Sequence, residues 1–189
     1  MAPETLNAVF SPYGIDPMTS DSYPPHPTQE KIRTWVRSVR EGTITCQGIP
    51  TLYCQHGVNS GGTRGAMAPI LEYAFEQPGL NVLVGREDFS NLRKSGMRTF
   101  FTIVDPALIV HKDEQLHAYQ LRAAGTGAAP STIWFAHVSD PDSLGSQEFA
   151  AILVIEAHEI TEEAFRKLRN RARQGLLPSF LILEGNPPS

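Results

Sequence analysis

Residues 52–66 read LYCQHGVNSGGTRGA, an apolar start that runs into glycine, serine and asparagine and then into residues that favour a helix. The pattern is that of a strand, expected to be buried, followed by a glycine-rich loop and a helix N-terminus. Backbone N–H groups and the helix dipole make such a place suited to an anion. The full phosphate-loop pattern is G-x-x-x-x-G-K-[ST], in which Lys reaches the outer phosphates and the hydroxyl meets magnesium. Here the pattern is incomplete. In the register that keeps most of it, His56 stands in the first glycine slot, Gly61 in the second, Gly62 in the Lys slot and Thr63 in the hydroxyl slot. Starting instead at Gly57 puts Thr63 in the Lys slot and Arg64 in the hydroxyl slot, a poorer fit. An ordinary glycine-rich turn has the same composition, so the rest of the chain must decide between the two.

The chain has 189 residues, 41% of them hydrophobic, which is enough for one domain with a proper core. A net charge of −4 argues against a surface coated with basic residues but leaves room for a local basic stripe. No apolar run is long enough to span a membrane, and the N-terminus lacks the basic start and apolar core of a secretory signal. Cys46 and Cys54 lack metal-ligand spacing and are expected as free thiols, Cys54 in the core.

Outward from the loop, residues 1–25 are rich in Pro and small polar residues and are expected to form an extended arm, with one domain over 26–189. Ile32, Trp35, Val36 and Val39 fall at helical spacing, and Gly42 closes that helix. Gln29 sits in its first turn, where an amide that both donates and accepts can read the edge of a base or simply face solvent. Trp35 is expected to pack in the core. After the loop, Pro69 falls inside the next helix and predicts a kink or a late start. The run NVLVG at 81–85 is a strand ending at Arg86, and Asp88 or Ser90 caps the helix beyond it. Stretches 108–110, 115–122 and 131–137 cluster as strands and predict a small β insertion. FAAILVI at 149–155 is a continuous apolar run, the mark of a central parallel strand, with Glu156 at its end. Thr161 caps a helix with Glu162 and Glu163 early and Arg166, Lys167, Arg169, Arg171 and Arg173 late, matching the helix dipole. SFLILE at 179–184 is a last strand, followed by Gly185, Asn186 and Pro187. Alternating strands and helices give an α/β fold: a mostly parallel sheet flanked by helices, with ligands at the strands' C-terminal ends.

Taken together, these segments resemble the N-terminal ATPase domain of phage terminase large subunits, the motors that package DNA into capsids. The likeness covers roughly residues 23–187 and keeps the family's order: HPTQ, LYCQHGVNSGGTRG, NVLVGRED with NLRKSG, SDPDSLGSQEFAAILVIEAHEIT, LRNRARQG and LILEGNPP. It implies a P-loop NTPase fold of the RecA/ASCE kind, with Walker A in the loop, Walker B at the end of 149–156, and a Gly-Asn-Pro coupling motif. Glu156 would then activate the attacking water, and Asn186 would belong to the coupling motif. Gln29 would lie at adenine, and His56, Gly57, Val58, Asn59, Ser60, Gly61, Gly62, Thr63 and Arg64 would surround the phosphates of ATP, with Thr63 near Mg. Arg86 is a candidate phosphate sensor, while Arg169, Arg171 and Arg173 are candidates for contact with DNA or a neighbouring subunit; a plain solvated face is the other reading of that basic run. Implied partners are double-stranded DNA, the portal protein, the small terminase subunit and further copies in a ring, in the host cytoplasm and with no membrane.

Three departures lie inside the site, the first being His56 where the loop's first glycine is expected. Gly62 replaces the Lys, and Ile155 replaces the Asp that would orient magnesium. Phosphoryl transfer depends on positioning and charge neutralisation, and one lost electrostatic group costs on the order of 2–4 kcal/mol of transition-state stabilisation. Hydrolysis is therefore expected to be weak or absent, with Arg64, two places on from the Lys slot, the residue available to compensate. The sequence ends just after the coupling motif with no carboxylate cluster for nuclease metals, so the expectation is a packaging ATPase half alone. A non-catalytic assembly module with the same fold is the alternative, and a helicase-like motor echoing DEAH at 156–158 is a weaker third.

Overall fold

The computed structural model describes residues 25–44, 46–56, 61–175 and 178–186. Among the described residues seven strands form one sheet: β1 (Thr51–Gln55), β2 (Asn81–Arg86), β3 (Ile109–Asp113), β4 (Ala118–Leu121), β5 (Ser131–His137), β6 (Ala151–Val154) and β7 (Phe180–Gly185), in the order β1-β7-β6-β2-β5-β4-β3. The five strands from β1 to β5 in that order are mutually parallel, and the hairpin of β3 and β4 continues the sheet antiparallel beside β5. The expected β insertion is thus smaller than the sequence suggested. Residues 131–137 pair parallel with β2 and belong to the main sheet, and only the β3–β4 hairpin is added at its margin.

Burial explains the apolar patterns. All four residues of β6 are buried because helices cover both faces of the sheet there. Even in such a strand the side chains alternate. Leu153, Ile155, Phe180 and Ile182 face one core with α1 (Pro27–Arg40) and α2 (Gly62–Glu76), while Ile152, Val154 and Leu181 face a second with Leu168 of α5 (Glu162–Arg171). Full burial of one such side chain contributes about 1.5–3 kcal/mol. β1 differs from its expected character: it is not a buried strand but alternates exposed and half-buried residues. Among the described residues it pairs with β7 only, leaving Tyr53 46% exposed and Cys54 half-buried rather than in the core.

Local chemistry fixes the helices. The His26 ring accepts from the Thr28 N–H while Gln29 Oε1 accepts from the His26 N–H, a reciprocal cap reinforced by Pro27 in the first turn. Ile32, Val36 and Val39 then face inward, and Trp35 meets Phe180 edge-on with ring centroids 5.7 Å apart. α2 starts at Gly62 without delay and contains Pro69, so the expected late start does not occur. Arg33 holds Glu72 at 2.9 Å, tying α1 to α2. Asp88 and Thr161 cap the next helices through the Asn91 and Ala164 N–H groups. The first of these runs from α3 (Phe89–Leu92) through a π turn (Arg93–Met97) into α4 (Arg98–Ile103). Its Gly96 makes room for Ile155, whose Cδ1 would lie only 2.8 Å from an added Cβ.

Candidate nucleotide site

The parallel strands bring their C-terminal ends to one edge of the sheet, where open α/β folds bind ligands. Gln55 of β1 stands beside Gly185 of β7, and Val154 of β6 stands between Leu183 of β7 and Gly85 of β2. His56, Glu184, Asn186, Glu156 and Arg86 therefore lie along this edge, with the N-terminus of α2 above it. Gly61 caps α2 at φ 74°, a left-handed conformation that glycine adopts without strain.

The centre of the arrangement is Glu184, a carboxylate only 1% exposed at the end of an apolar strand. Sequence reasoning named 179–184 as a strand but gave Glu184 no role. Its Oε1 accepts from the Thr63 hydroxyl at 3.1 Å and meets Nε2 of His56, and its Oε2 accepts from the Glu156 N–H at 3.3 Å. The His56 ring fills the space beside Gly62, so that any side chain at position 62 would overlap it. The slot where the complete phosphate loop carries Lys is occupied by an imidazole. Residues 57–60, expected to complete the loop, lie outside the described residues.

Glu156 follows β6 in a left-handed conformation, φ 53° and ψ 53°, which costs an L residue roughly 1–2 kcal/mol. Several contacts oppose that cost. Asn186 Nδ2 donates to both carboxylate oxygens at 3.2 Å, His158 Nδ1 lies 3.5 Å from Oε2, and Glu184 holds the backbone N–H. Gly185 permits the close pass of this turn, since an added Cβ would sit 3.2 Å from His158 Nδ1. The Asn186 Oδ1 atom is buried and has no hydrogen-bond partner among the described residues. His158 thus faces the Glu156 carboxylate at the turn.

Arg86 does not point freely into the site. Glu159 takes its guanidinium at 3.0 and 2.8 Å, and this hydrogen bonding raises the Arg86 pKa above its usual value. Burial lowers that of Arg64, in the first turn of α2. Burial, then the nearby Glu184 charge, pushes the Cys54 thiol up to about 11.

Gln29 uses its amide oxygen in the cap of α1, and its Cγ would approach a Cβ added at Gly65 to 2.9 Å. A cavity of about 230 Å³ opens between His26, Gln29, Ile32, Cys54, His56 and Gly62. Whole-ligand pockets measure ~300–1,000 Å³, so this one has the size for a single ring system. Of the candidate DNA or subunit residues in and just after α5, Arg169 and Arg173 line one cleft with Arg166, Gly48 and Ile49, Arg173 also pairing with Glu148 at 2.9 Å, whereas Arg171 donates to the Gly145 carbonyl. Among the described residues no helix is long and apolar enough to cross a membrane.

No family model and no curated protein matches this sequence. Its fold is similar to that of the large terminase of a thermophilic bacteriophage, with a TM-score of 0.67 and 15% identity over 87% of this chain and 40% of that one. The HK97 bacteriophage large terminase gives a TM-score of 0.62 with 13% identity, covering 97% of this chain and 37% of that one. The large terminase ATPase domain of Thermus phage P74-26 gives 0.54 with 17% identity, over 88% of this chain and 66% of that one. The first of these three proteins has been solved with ADP and with ATP-gamma-S. This chain spans about two fifths of that protein's length.

Proposed function

We propose that this chain, which has the fold of a phage large-terminase ATPase domain, binds adenine nucleotide at the edge formed by β1, β7 and β6 and serves as the ATPase domain of a DNA-packaging motor. The observation that carries the reading is the Glu156 carboxylate held from both oxygens by Asn186 and linked through Glu184 to Thr63 in the first turn of α2. A bound ATP supplies the phosphoryl group and its magnesium neutralises oxygen charge. The residues present fit such a ligand in part. Glycine backbone at the start of α2 suits phosphate, the cavity beside Gln29 suits a base, and Thr63 offers an oxygen to a hard cation. Glu156 is placed to take the proton of an attacking water, with Asn186 fixing its carboxylate and linking it to β7. The missing Lys and Asp leave hydrolysis impaired.

A second reading, an assembly module that keeps the fold without turnover, is favoured by one observation. Thr63 and the His56 ring are both engaged by Glu184, so groups that would serve phosphate serve each other. Calorimetric titration with ADP and with ATP, each with and without magnesium, separates the readings. Saturable binding with a hydrolysis rate hardly above background is the expected outcome; the absence of binding under all four conditions would leave the assembly module.

The packaging role brings proposed partners: duplex DNA, a portal protein, a small terminase subunit and other copies in a ring. For DNA, Arg166, Arg169 and Arg173 line the cleft, Arg173 already paired with Glu148, whereas Lys167 and Arg171 bind Asp142 and Gly145. Replacing Arg166 and Arg169 with Ala should flatten the slope of log affinity against log salt by up to about two ions. Arg171→Ala should leave the slope unchanged. Equal slopes for both variants in fluorescence anisotropy would assign the helix to another partner.

A further inference from the structure

In the complete site, magnesium is held by the loop hydroxyl together with a carboxylate at the end of the acidic strand. Ile155 occupies that end here. It is 1% exposed and packs toward Gly96, so it supplies shape and no charge. One strand away, at the same level, stands Glu184. The register Val154–Leu183 carries forward one residue to Ile155 and Glu184, and both follow the alternation that faces α2, after Leu153 and Ile182. Because β7 lies between β6 and β1, Glu184 stands one strand spacing, ~4.8 Å, closer to β1 than Ile155 does. Its Oε1 already meets the Thr63 hydroxyl at 3.1 Å.

We propose that Glu184 supplies the carboxylate missing at Ile155, so that the cation-holding pair of this site is Thr63 with Glu184 across β1 and β7 rather than Thr63 with a residue of β6. This rests on the nucleotide-binding reading above. The identity of the partners supports it. Burial of a carboxylate costs several kcal/mol unless its oxygens are satisfied, and the β7 positions before it on this face, Phe180 and Ile182, are apolar and fully buried. A third apolar residue would extend that packing. The chain instead carries a carboxylate whose contacts are with the three segments that build the site: the end of β1, the first turn of α2 and the turn after β6. Oxygen from a hydroxyl and from a carboxylate is what a small hard cation selects. His56 meets the same Oε1 that meets Thr63, so the imidazole is a competitor for the cation's oxygen and gives way when the pair is used.

The test is ADP binding by calorimetry with and without magnesium, together with electron paramagnetic resonance of manganese in the ADP complex. It uses the wild-type chain, Glu184→Gln, and Glu184→Gln combined with Ile155→Asp. Glu184→Gln keeps the shape and one acceptor, and circular dichroism with thermal melting checks that it folds. Expected is a loss of manganese affinity in the ADP complex of about tenfold or more, the range for groups that hold or orient metal ligands, with metal-free ADP affinity within about twofold. The added Ile155→Asp should restore the metal effect, since Asp is smaller than Ile and carboxylate returns to the usual strand. Equal weakening of ADP with and without metal, or an unchanged metal effect in Glu184→Gln, would overturn the proposal and make Glu184 a structural clamp for Glu156. A wild-type chain that binds ADP without any metal effect also overturns it while leaving nucleotide binding in place. If the wild type binds no ADP at all, the nucleotide reading falls and the proposal falls with it. Should Glu184→Gln not fold, Thr63→Val, which removes the other member of the pair, must show the same selective loss of the metal effect.

Discussion

The two sides of the site differ in what they have kept. On the side of β6 and β7, Glu156 is held in a strained backbone conformation by Asn186, His158 and Glu184, as a group reserved for chemistry would be. On the side of β1 and α2, the Lys slot is glycine, an imidazole covers it, and the hydroxyl is bound to a buried carboxylate. The groups that would handle water are poised, while those that would grip phosphate are tied to each other. A nucleotide bound as proposed would have to open contacts that the free protein already makes, and its affinity would be reduced by the cost of opening them.

Removing Glu184 should disturb both sides at once and give the largest effect. Glu184→Ala takes an acceptor from the Thr63 hydroxyl, the His56 ring and the Glu156 N–H in a buried place. Urea unfolding should report a loss of about 3 kcal/mol. A loss below about 1 kcal/mol would mean that water replaces the carboxylate and that the two sides are not coupled through it.

Converting the β1 side to the complete pattern sharpens the contrast next. Gly62→Lys alone should bind nucleotide no better, because its side chain overlaps the His56 ring. Combining His56→Gly, Gly62→Lys and Ile155→Asp should tighten magnesium-ADP by roughly 2 kcal/mol, the lower end for regaining one electrostatic group. Calorimetry would show this as about a thirtyfold change in Kd. An equal gain from Gly62→Lys alone would show that the ring moves aside at little cost.

The strain at Glu156 can be isolated from its side chain. Glu156→Gly and Glu156→Ala both remove the carboxylate, but only glycine accepts φ 53° without a clash. The glycine variant should be the more stable of the two by about 1 kcal/mol in the same denaturation measurement. Equal stabilities would mean that the turn relaxes once the carboxylate is gone.

The smallest effect concerns Cys54, which neighbours Glu184 in the β1–β7 register. Its thiol pKa is raised from 9.0 to about 11 by burial and by that charge, so the neutral thiol is favoured in the folded protein. For such a group the folded state holds its proton more tightly, and stability declines as pH rises from about 9 through 11. At a pH of about 8, below both values, alkylation with iodoacetamide should modify exposed Cys46 well before Cys54. Simultaneous modification would show that burial, with the Glu184 charge beside it, does not protect the thiol.

Much of this was legible in sequence, and the exceptions share a cause. Apolar runs placed β2, β6 and β7, and hydroxyl or carboxylate caps placed the starts of α3 and α5, because those signals are local. The role of Glu184 was not legible, since its partner His56 is 128 residues away in the chain and depends on β7 inserting between β1 and β6. The same long-range fact decided the character of β1. A strand with one neighbour alternates in burial, but TLYCQ gives no clear period of two. Residues 131–137 joined the main sheet for a reason equally remote: pairing with β2, far earlier in the chain. Gly96 and Ile155 likewise fit one another only once α3, the π turn and β6 are assembled.

The position of β1 also has a kinetic consequence. Backbone amides of β6 lie between two paired neighbours beneath helices, and they exchange with solvent only through large openings of the sheet. β1 is paired on one side among the described residues, with alternate side chains in water, so its amides exchange through small local fraying. His56 is attached directly to the strand paired on one side, and Glu156 follows one paired on both. The imidazole can therefore leave and regain its carboxylate many times during a single excursion of the β6 turn.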